Sequence, residues 1–343
     1  MERVVDQKVV DQVERNRWKI ILRTLAKDWR LYVLLVPMLV FLILYKYLPI
    51  AGVLQGFKWF DVNAQTRGDE WCGLYYAKML FTGAYASEFW RAFRNTFVNS
   101  MYGLLFGFPI PIFLALLFSE IKNEAYRSVL QVCCYLPHFV STVVVTTLIS
   151  LWCSAKTDAF PAGIITQALT ALNMHNLTQE VLDTPRFFRP IYQISGVWEG
   201  AGYGSIVYFA AVMAISPTNY EAARIDGASK LQQIRYVTLP GMAPTLTIML
   251  IMRIGQILNV GYEKIILLCG GKENSYETSD VISTFVYRMS GRGTEIYGKS
   301  PSIGRGTSVN LGVVADIFNS IIAMCLVLGA NAISRRVSST SLF

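Results

Sequence analysis

Tyr220–Pro244, YEAARIDGASKLQQIRYVTLPGMAP, is a polar stretch between two long apolar runs, and its reading decides the fold. Ser216 is placed to cap a helix, with Pro217 in the first helical position. Glu221, Ala222, Ala223 and Arg224 favour helix, and Gly227 can take the left-handed conformation that ends one. A second short helix is expected from Ser229, with Leu231, Ile234 and Val237 as its apolar stripe. It is expected to stop near Thr238, because Pro240 disfavours helical backbone at Leu239. The product is a bent knuckle. Ala222, Ala223, Gly227 and Ala228 form its small-residue face beside Glu221, Arg224 and Asp226. These signals also fit an ordinary loop between membrane helices.

The flanking composition is that of a membrane protein. Of 343 residues, 53% are hydrophobic and 16% charged, against about 25% charged in a soluble domain. Apolar runs long enough to cross a bilayer lie at residues 31–50, 93–118, 128–153, 193–215, 243–263 and 309–334. The knuckle is a loop over 216–242, an N-terminal arm covers 1–30 and a tail covers 335–343. With the N-terminus inside, the inner segments hold 15 Lys or Arg in 75 residues and the outer ones 13 in 126. That bias puts both termini and the knuckle in the cytoplasm. It also accounts for the net charge of +8 without nucleic acid. The arm's bases suit contact with anionic membrane lipid.

The order Glu221-Ala222-Ala223, Asp226-Gly227-Ala228, Val237, Leu239-Pro240 and Pro244 resembles the EAA loop of binding-protein-dependent ABC importer permeases. Tyr45–Pro49, Phe89–Thr96, Phe106–Pro109, Tyr135–Phe139, Gly204–Tyr208, Tyr276–Ile282 and Phe285–Arg288 are similar to the carbohydrate branch, in its polysaccharide or oligosaccharide permease subgroup. The resemblance covers nearly the whole chain from Leu31 on. Ile234 departs from it, standing where many members carry an aromatic.

The resemblance implies an all-α integral membrane fold of six transmembrane helices, of the type I ABC importer permease kind. It implies a bacterial cytoplasmic membrane, a second permease subunit, two ATP-binding subunits and an extracytoplasmic sugar-binding protein. ATP and Mg would sit on the partner ATPase subunits, with no cofactor on this chain and no enzyme activity of its own. Glu221, Ala222, Ala223, Asp226, Gly227, Leu239 and Pro240 are then the ATPase-coupling residues.

A sugar pathway needs aromatic faces and hydrogen-bonding side chains. Ser150, Trp198, Glu199, Tyr203, Gln256, Asn259 and Tyr262 fit that chemistry, and the corresponding regions line the sugar cavity in maltose-type permeases. Glu199, Arg253 and Asp316 are charges inside apolar runs, which are costly and commonly face a cavity or a partner. The same polar groups also fit helix–helix hydrogen bonding. A membrane-bound glycan-processing enzyme and a non-sugar permease are the competing readings. No GxSxG or HExxH occurs, and Gly270-Gly271-Lys272 lacks the spacing of a phosphate loop. The six cysteines form no CxxC pair, so no metal site is expected. Cys133, Cys134 and Cys325 read as packing residues, and a Cys72–Cys269 disulfide has only weak support.

Overall fold

Proline placement sets where the apolar runs bend. The computed structural model describes residues 26–61, 66–269, 274–289 and 305–337. Most of the N-terminal arm, Gly270–Lys272 and the tail beyond residue 337 lie outside the described residues.

Met1–Gln55 and Gly56–Phe343 are separate compact units. In the first, helix α1 (Trp29–Leu42) runs through a π turn at Ile43–Tyr47 into a 3-10 stretch that begins at Leu48. Trp29–Phe57 is long and apolar enough to cross a membrane.

The second unit opens with an antiparallel hairpin, β1 (Lys58–Asp61) and β2 (Thr66–Trp71), and helix α2 (Tyr75–Phe81). Trp59 clusters with Tyr75 and Tyr76, at ring separations of 4.9 and 5.9 Å. α3 (Ala86–Gly107) and α4 (Pro109–Glu120) together make a crossing of 35 residues. Pro109 opens α4, where its missing N–H costs no helical hydrogen bond.

The expected run at 128–153 is not one straight helix. α5 (Glu124–Tyr135) and α6 (Thr142–Trp152) meet at 91°. Between them Leu136–Phe139 tightens into a 3-10 turn around Pro137, and Val140 is extended. α7 is Ile164–Ala171, and the long α8 is Pro185–Met213. The knuckle follows as α9 (Pro217–Ile225), set at 68° to α8, and α10 (Lys230–Gln233). α11 (Leu239–Gly255), α12 (Tyr262–Cys269), α13 (Tyr276–Ser279), α14 (Ile282–Tyr287) and α15 (Arg305–Val337) complete the order. The described residues hold four helical stretches able to cross a membrane and two bent helix pairs that pass the same test.

Two expectations are corrected here. The second knuckle helix does not stop at Thr238. A π turn at Ile234–Thr238 carries it into α11, so Lys230–Gly255 is continuous. The wider turn, in which the Leu239 N–H donates to the Ile234 carbonyl, makes room for Pro240 in the first turn of α11. The fifth run instead ends early. α11 stops at Gly255 and residues 256–261 are not helical, so Gln256 and Asn259 lie beyond the helix that carries Arg253. The Ser283 hydroxyl donates to the Val260 carbonyl, and the Asn319 amide to the Leu258 carbonyl at 3.4 Å. Neighbouring side chains thus satisfy backbone that the break sets free.

Much of the buried core lies in stretches that read as polar outer loops. Val181, Leu182, Phe187, Phe188, Ile265, Leu268, Cys269, Tyr276 and Val281 form one cluster with α6. Cys133 and Cys325 are exposed on their helices rather than packed, and neither Cys72 nor Cys269 is in a disulfide. Cys134 marks the closest helix approach. Its carbonyl lies 1.9 Å from where Gly202 of α8 would carry a Cβ. Because the obstacle is backbone, α5 and α8 must separate to admit even a methyl. Gly202→Ala is expected to cost at least about 2 kcal/mol and to lower the thermal midpoint of the purified protein. An unchanged midpoint would show that the helices do not pack this closely.

Candidate functional site

The knuckle is built from short-range signals, of which the Ser216 side-chain cap is not made. Ser216 precedes α9, and its hydroxyl pairs with the Thr218 hydroxyl at 2.7 Å rather than with backbone. At the other end the Gly227 N–H donates to Arg224 and the Ala228 N–H to Ala223, at 3.0 and 2.9 Å. This double closure needs a left-handed residue, and Gly227 supplies it with φ of +77°. Ser229 and Gln232 then form a capping box on α10. The bend is pinned to the next helix. Tyr220 Oη lies 3.1 Å from Thr238 Oγ1, and Gln233 Nε2 donates to the Ala228 carbonyl at 3.0 Å. Lys230 Nζ reaches Glu120 Oε2 at 2.6 Å, tying the knuckle to the end of α4.

Its outer surface is open. Glu221, Ala222, Asp226, Gly227, Leu239 and Pro240 are exposed and Ala223 is half-buried. The apolar tips are Ile225, 86% exposed, and Leu231, 79% exposed. Ile234, the stripe residue that stands where many family members carry an aromatic, is half-buried.

A cavity of about 520 Å³, with charged and amide side chains set among apolar ones, lies between α3, α4, α8, α11 and the 256–261 break. Of the expected pathway residues, Glu199, Gln256 and Asn259 line it, as does Arg253. The other four are elsewhere. The α8 lining includes Tyr192, Gln193, Gly196, Glu199, Gly200 and Tyr208, whereas Trp198 and Tyr203 are not part of it. Tyr203 stacks on His138, ring centroids 4.0 Å apart. Tyr262 stacks on Tyr287 at 5.2 Å, and Ser150 is half-buried on α6. Asp316 is exposed on α15 and is not part of the lining.

The cavity also contains residues that the sequence reading passed over. Lys264 Nζ donates to Glu199 Oε2, with side chains only 14% and 19% exposed. Its ammonium sits 5.7 Å from the centroid of the Tyr192 ring. Asn99 and Gln193 contribute further polar groups, the Gln193 amide donating to the Asn99 carbonyl at 2.9 Å. The Gly103–Gly107 pair admits Arg253 rather than a helix backbone. Arg253 Nη2 donates to the Gly103 carbonyl at 3.4 Å and occupies space where a Cβ on Gly107 would come within 2.5 Å.

Beyond the cavity, on the expected outer side, α3 meets α13 and α14 through buried charge. The carboxylate of Asp280, fully buried, accepts from Arg288 at 2.8 Å and from Thr284 at 2.9 Å, with Arg91 at 3.6 Å. Arg288 also reaches Glu88 at 3.0 Å. The Asn95 amide bridges to the carbonyls of Glu277 and Asp280, and the Ile282 N–H donates to Thr96. Burial pushes the Asp280 carboxyl up, against the pull of Arg288, Thr284 and Arg91. Burial raises the Tyr276 hydroxyl as well, with Asp280 adding to it. These contacts join Phe89–Thr96, with Glu88 just before it, to Tyr276–Ile282 and Phe285–Arg288, three of the segments that carried the family resemblance.

Residues 107–337 match the family model described as binding-protein-dependent transport system inner membrane component. Protein LplB of Bacillus subtilis (strain 168) is 32% identical over 319 residues, 93% of this chain and 92% of that protein. The polygalacturonan/rhamnogalacturonan transport system permease protein YteP of the same organism is 28% identical over 339 residues, 99% of this chain and 97% of that one. Among solved structures, a chain of a bacterial ABC transporter that imports the acidic polysaccharide alginate superposes with a TM-score of 0.78. It is 37% identical, covering 93% of this chain and 99% of that one. A chain of the alginate transporter in complex with its alginate pentasaccharide-bound periplasmic protein matches with a TM-score of 0.76 and 36% identity.

Proposed function

Because the chain belongs to the family of binding-protein-dependent transport system inner membrane components, we propose that it is the permease subunit of an ATP-driven importer. Its cargo is an oligosaccharide or polysaccharide fragment handed over by an extracytoplasmic binding protein. It works beside a second permease subunit in the bacterial cytoplasmic membrane, with both termini and the knuckle in the cytoplasm. Two partner subunits bind ATP and Mg and perform the hydrolysis.

One observation carries the reading. The exposed knuckle runs without a break into α11, and α11 walls the cavity. A hydrophilic sugar cannot cross hydrocarbon, so the cavity must open to one side and then to the other. Docking of Ile225 and Leu231 into a groove on one of the two ATPase subunits gives the motor a grip, with Glu221 paired to a base there. Closure of the ATPase pair then displaces α11 and with it Arg253, while the break at 256–261 lets the cavity wall rearrange. Gln256 and Asn259 meet the sugar hydroxyls, beside the Glu199–Lys264 pair. The glycans named for YteP and for the alginate importer support a sugar cargo.

The test is co-purification of the full complex followed by sugar uptake in proteoliposomes. Leu231→Asp is expected to insert normally, since its side chain touches solvent. It is expected to lose about 2 kcal/mol of ATPase-subunit docking, as a central interface residue would. Full recovery of the ATPase subunits with this variant would reject the knuckle as the docking element.

A further inference from the structure

The cavity wall is unevenly charged. Apart from the phenols of Tyr192 and Tyr208, its ionisable side chains among the described residues are Glu199, Arg253 and Lys264. Glu199 and Lys264 satisfy each other. Arg253 has no carboxylate within ion-pair distance among the described residues, and it donates a long hydrogen bond, 3.4 Å, to the Gly103 carbonyl. The cavity therefore holds one cation in excess, and its only carboxylate is already committed to a lysine.

We infer that this cavity selects sugars that carry carboxylates, with Arg253 as the carboxylate receptor and Glu199 as a displaceable internal counter-ion on Lys264. The inference rests on the proposed sugar cargo and adds its charge class. The Arg253 guanidinium is exposed to the cavity and holds only one long bond to a neutral carbonyl, so it is available to a stronger acceptor. A sugar carboxylate offers it two strong acceptors in the planar geometry it prefers, which a hydroxyl cannot. Glu199 keeps the empty cavity from holding two uncompensated cations. When a second carboxylate of the same glycan arrives, Lys264 can change partner without losing its countercharge. Gln256 and Asn259, neutral donors and acceptors, are left to the hydroxyls.

The experiment uses the complete transporter with its partner subunits and binding protein, in proteoliposomes. The probes are a short uronate oligomer and the same oligomer with its carboxylates reduced to primary alcohols. Wild type is expected to take up the uronate in preference. Arg253→Gln is expected to lower uronate uptake roughly tenfold, the loss of one charge-assisted hydrogen bond, and to narrow the acid-to-neutral ratio. Arg253→Lys is expected to recover part of both. Glu199→Gln, which frees Lys264, is expected to lower the half-saturating uronate concentration. Equal uptake of both oligomers by wild type, or equal loss of both in Arg253→Gln, overturns the inference while leaving a sugar importer intact. If Arg253→Gln fails to assemble, Glu199→Gln decides, and a raised or unchanged half-saturating concentration overturns the assignment. Uptake of neither oligomer, with transport of a non-sugar solute, rejects the proposed function itself.

Discussion

Gly227→Pro is expected to abolish sugar-stimulated ATP hydrolysis and uptake while the protein still inserts and accumulates. Gly227 sits at φ of +77° and donates its N–H to the Arg224 carbonyl at 3.0 Å. Proline is held near a φ of about −65° and has no N–H, so it can reproduce neither feature. The penalty, roughly 3 kcal/mol, falls on the link between α9 and α10 and not on the membrane core. Paying it out as a misplaced α9 would reduce coupling by roughly a hundredfold. Gly227→Ala should give a smaller loss of the same kind, since a left-handed alanine costs about 1 kcal/mol. Nothing lies within 4 Å of the would-be Cβ, so the alanine effect reports backbone strain alone. The measurement is ATPase activity of the reconstituted complex with and without loaded binding protein. Full stimulation in Gly227→Pro would mean that the bend does not transmit force.

The second large effect concerns folding. Asp280→Ala leaves the buried guanidinium of Arg288 without its main countercharge, and Arg91 loses the same partner. Removing one member of a buried pair costs about 3–5 kcal/mol, chiefly because the survivor is stranded. The purified complex should therefore lose thermal stability or fail to assemble. The double variant Asp280→Ala with Arg288→Met should recover much of the loss, because it removes both buried charges and leaves without these partners only Arg91 and Glu88, which are partly exposed. A double variant no more stable than the single one would show that these groups do not stabilise the α3–α14 contact through their pairing.

The two regions differ in how much their sequence reveals. The knuckle was legible because each of its signals acts within a few residues. Ser216 precedes Pro217, Gly227 follows a run of helix formers, and Ser229 faces Gln232. None of these needs a distant partner, and the helix start at Pro217, the left-handed Gly227 and the Ser229–Gln232 box all appear, although the Ser216 hydroxyl pairs with Thr218 instead of capping α9. Pro240 was misread for a related reason. Its local preference is real, but the π turn before it was available and keeps the helix whole.

The cavity was legible only in part. Intramembrane charge pointed to Glu199 and Arg253, and a polar-group rule pointed to Gln256 and Asn259. Trp198, Tyr203, Tyr262 and Ser150 satisfied the same rule yet sit outside the lining. Which face of a helix meets a cavity depends on the neighbours it packs against. Lys264 escaped notice because it was counted among outer-loop bases, although a lysine directly after a run of span residues is a signal that could have found it.

By itself the sequence determined that this chain crosses a membrane several times and carries a bent polar knuckle. Apolar run length, basic-residue bias and short-range capping are properties of contiguous residues, and contiguous residues are what a sequence displays. Only the tertiary structure decided that Arg288 neutralises Asp280 and that Lys264 answers Glu199. It alone packed the polar-looking outer stretches into the core. Those outcomes depend on groups far apart in the chain cancelling each other's charge away from water, and composition cannot show which groups will meet.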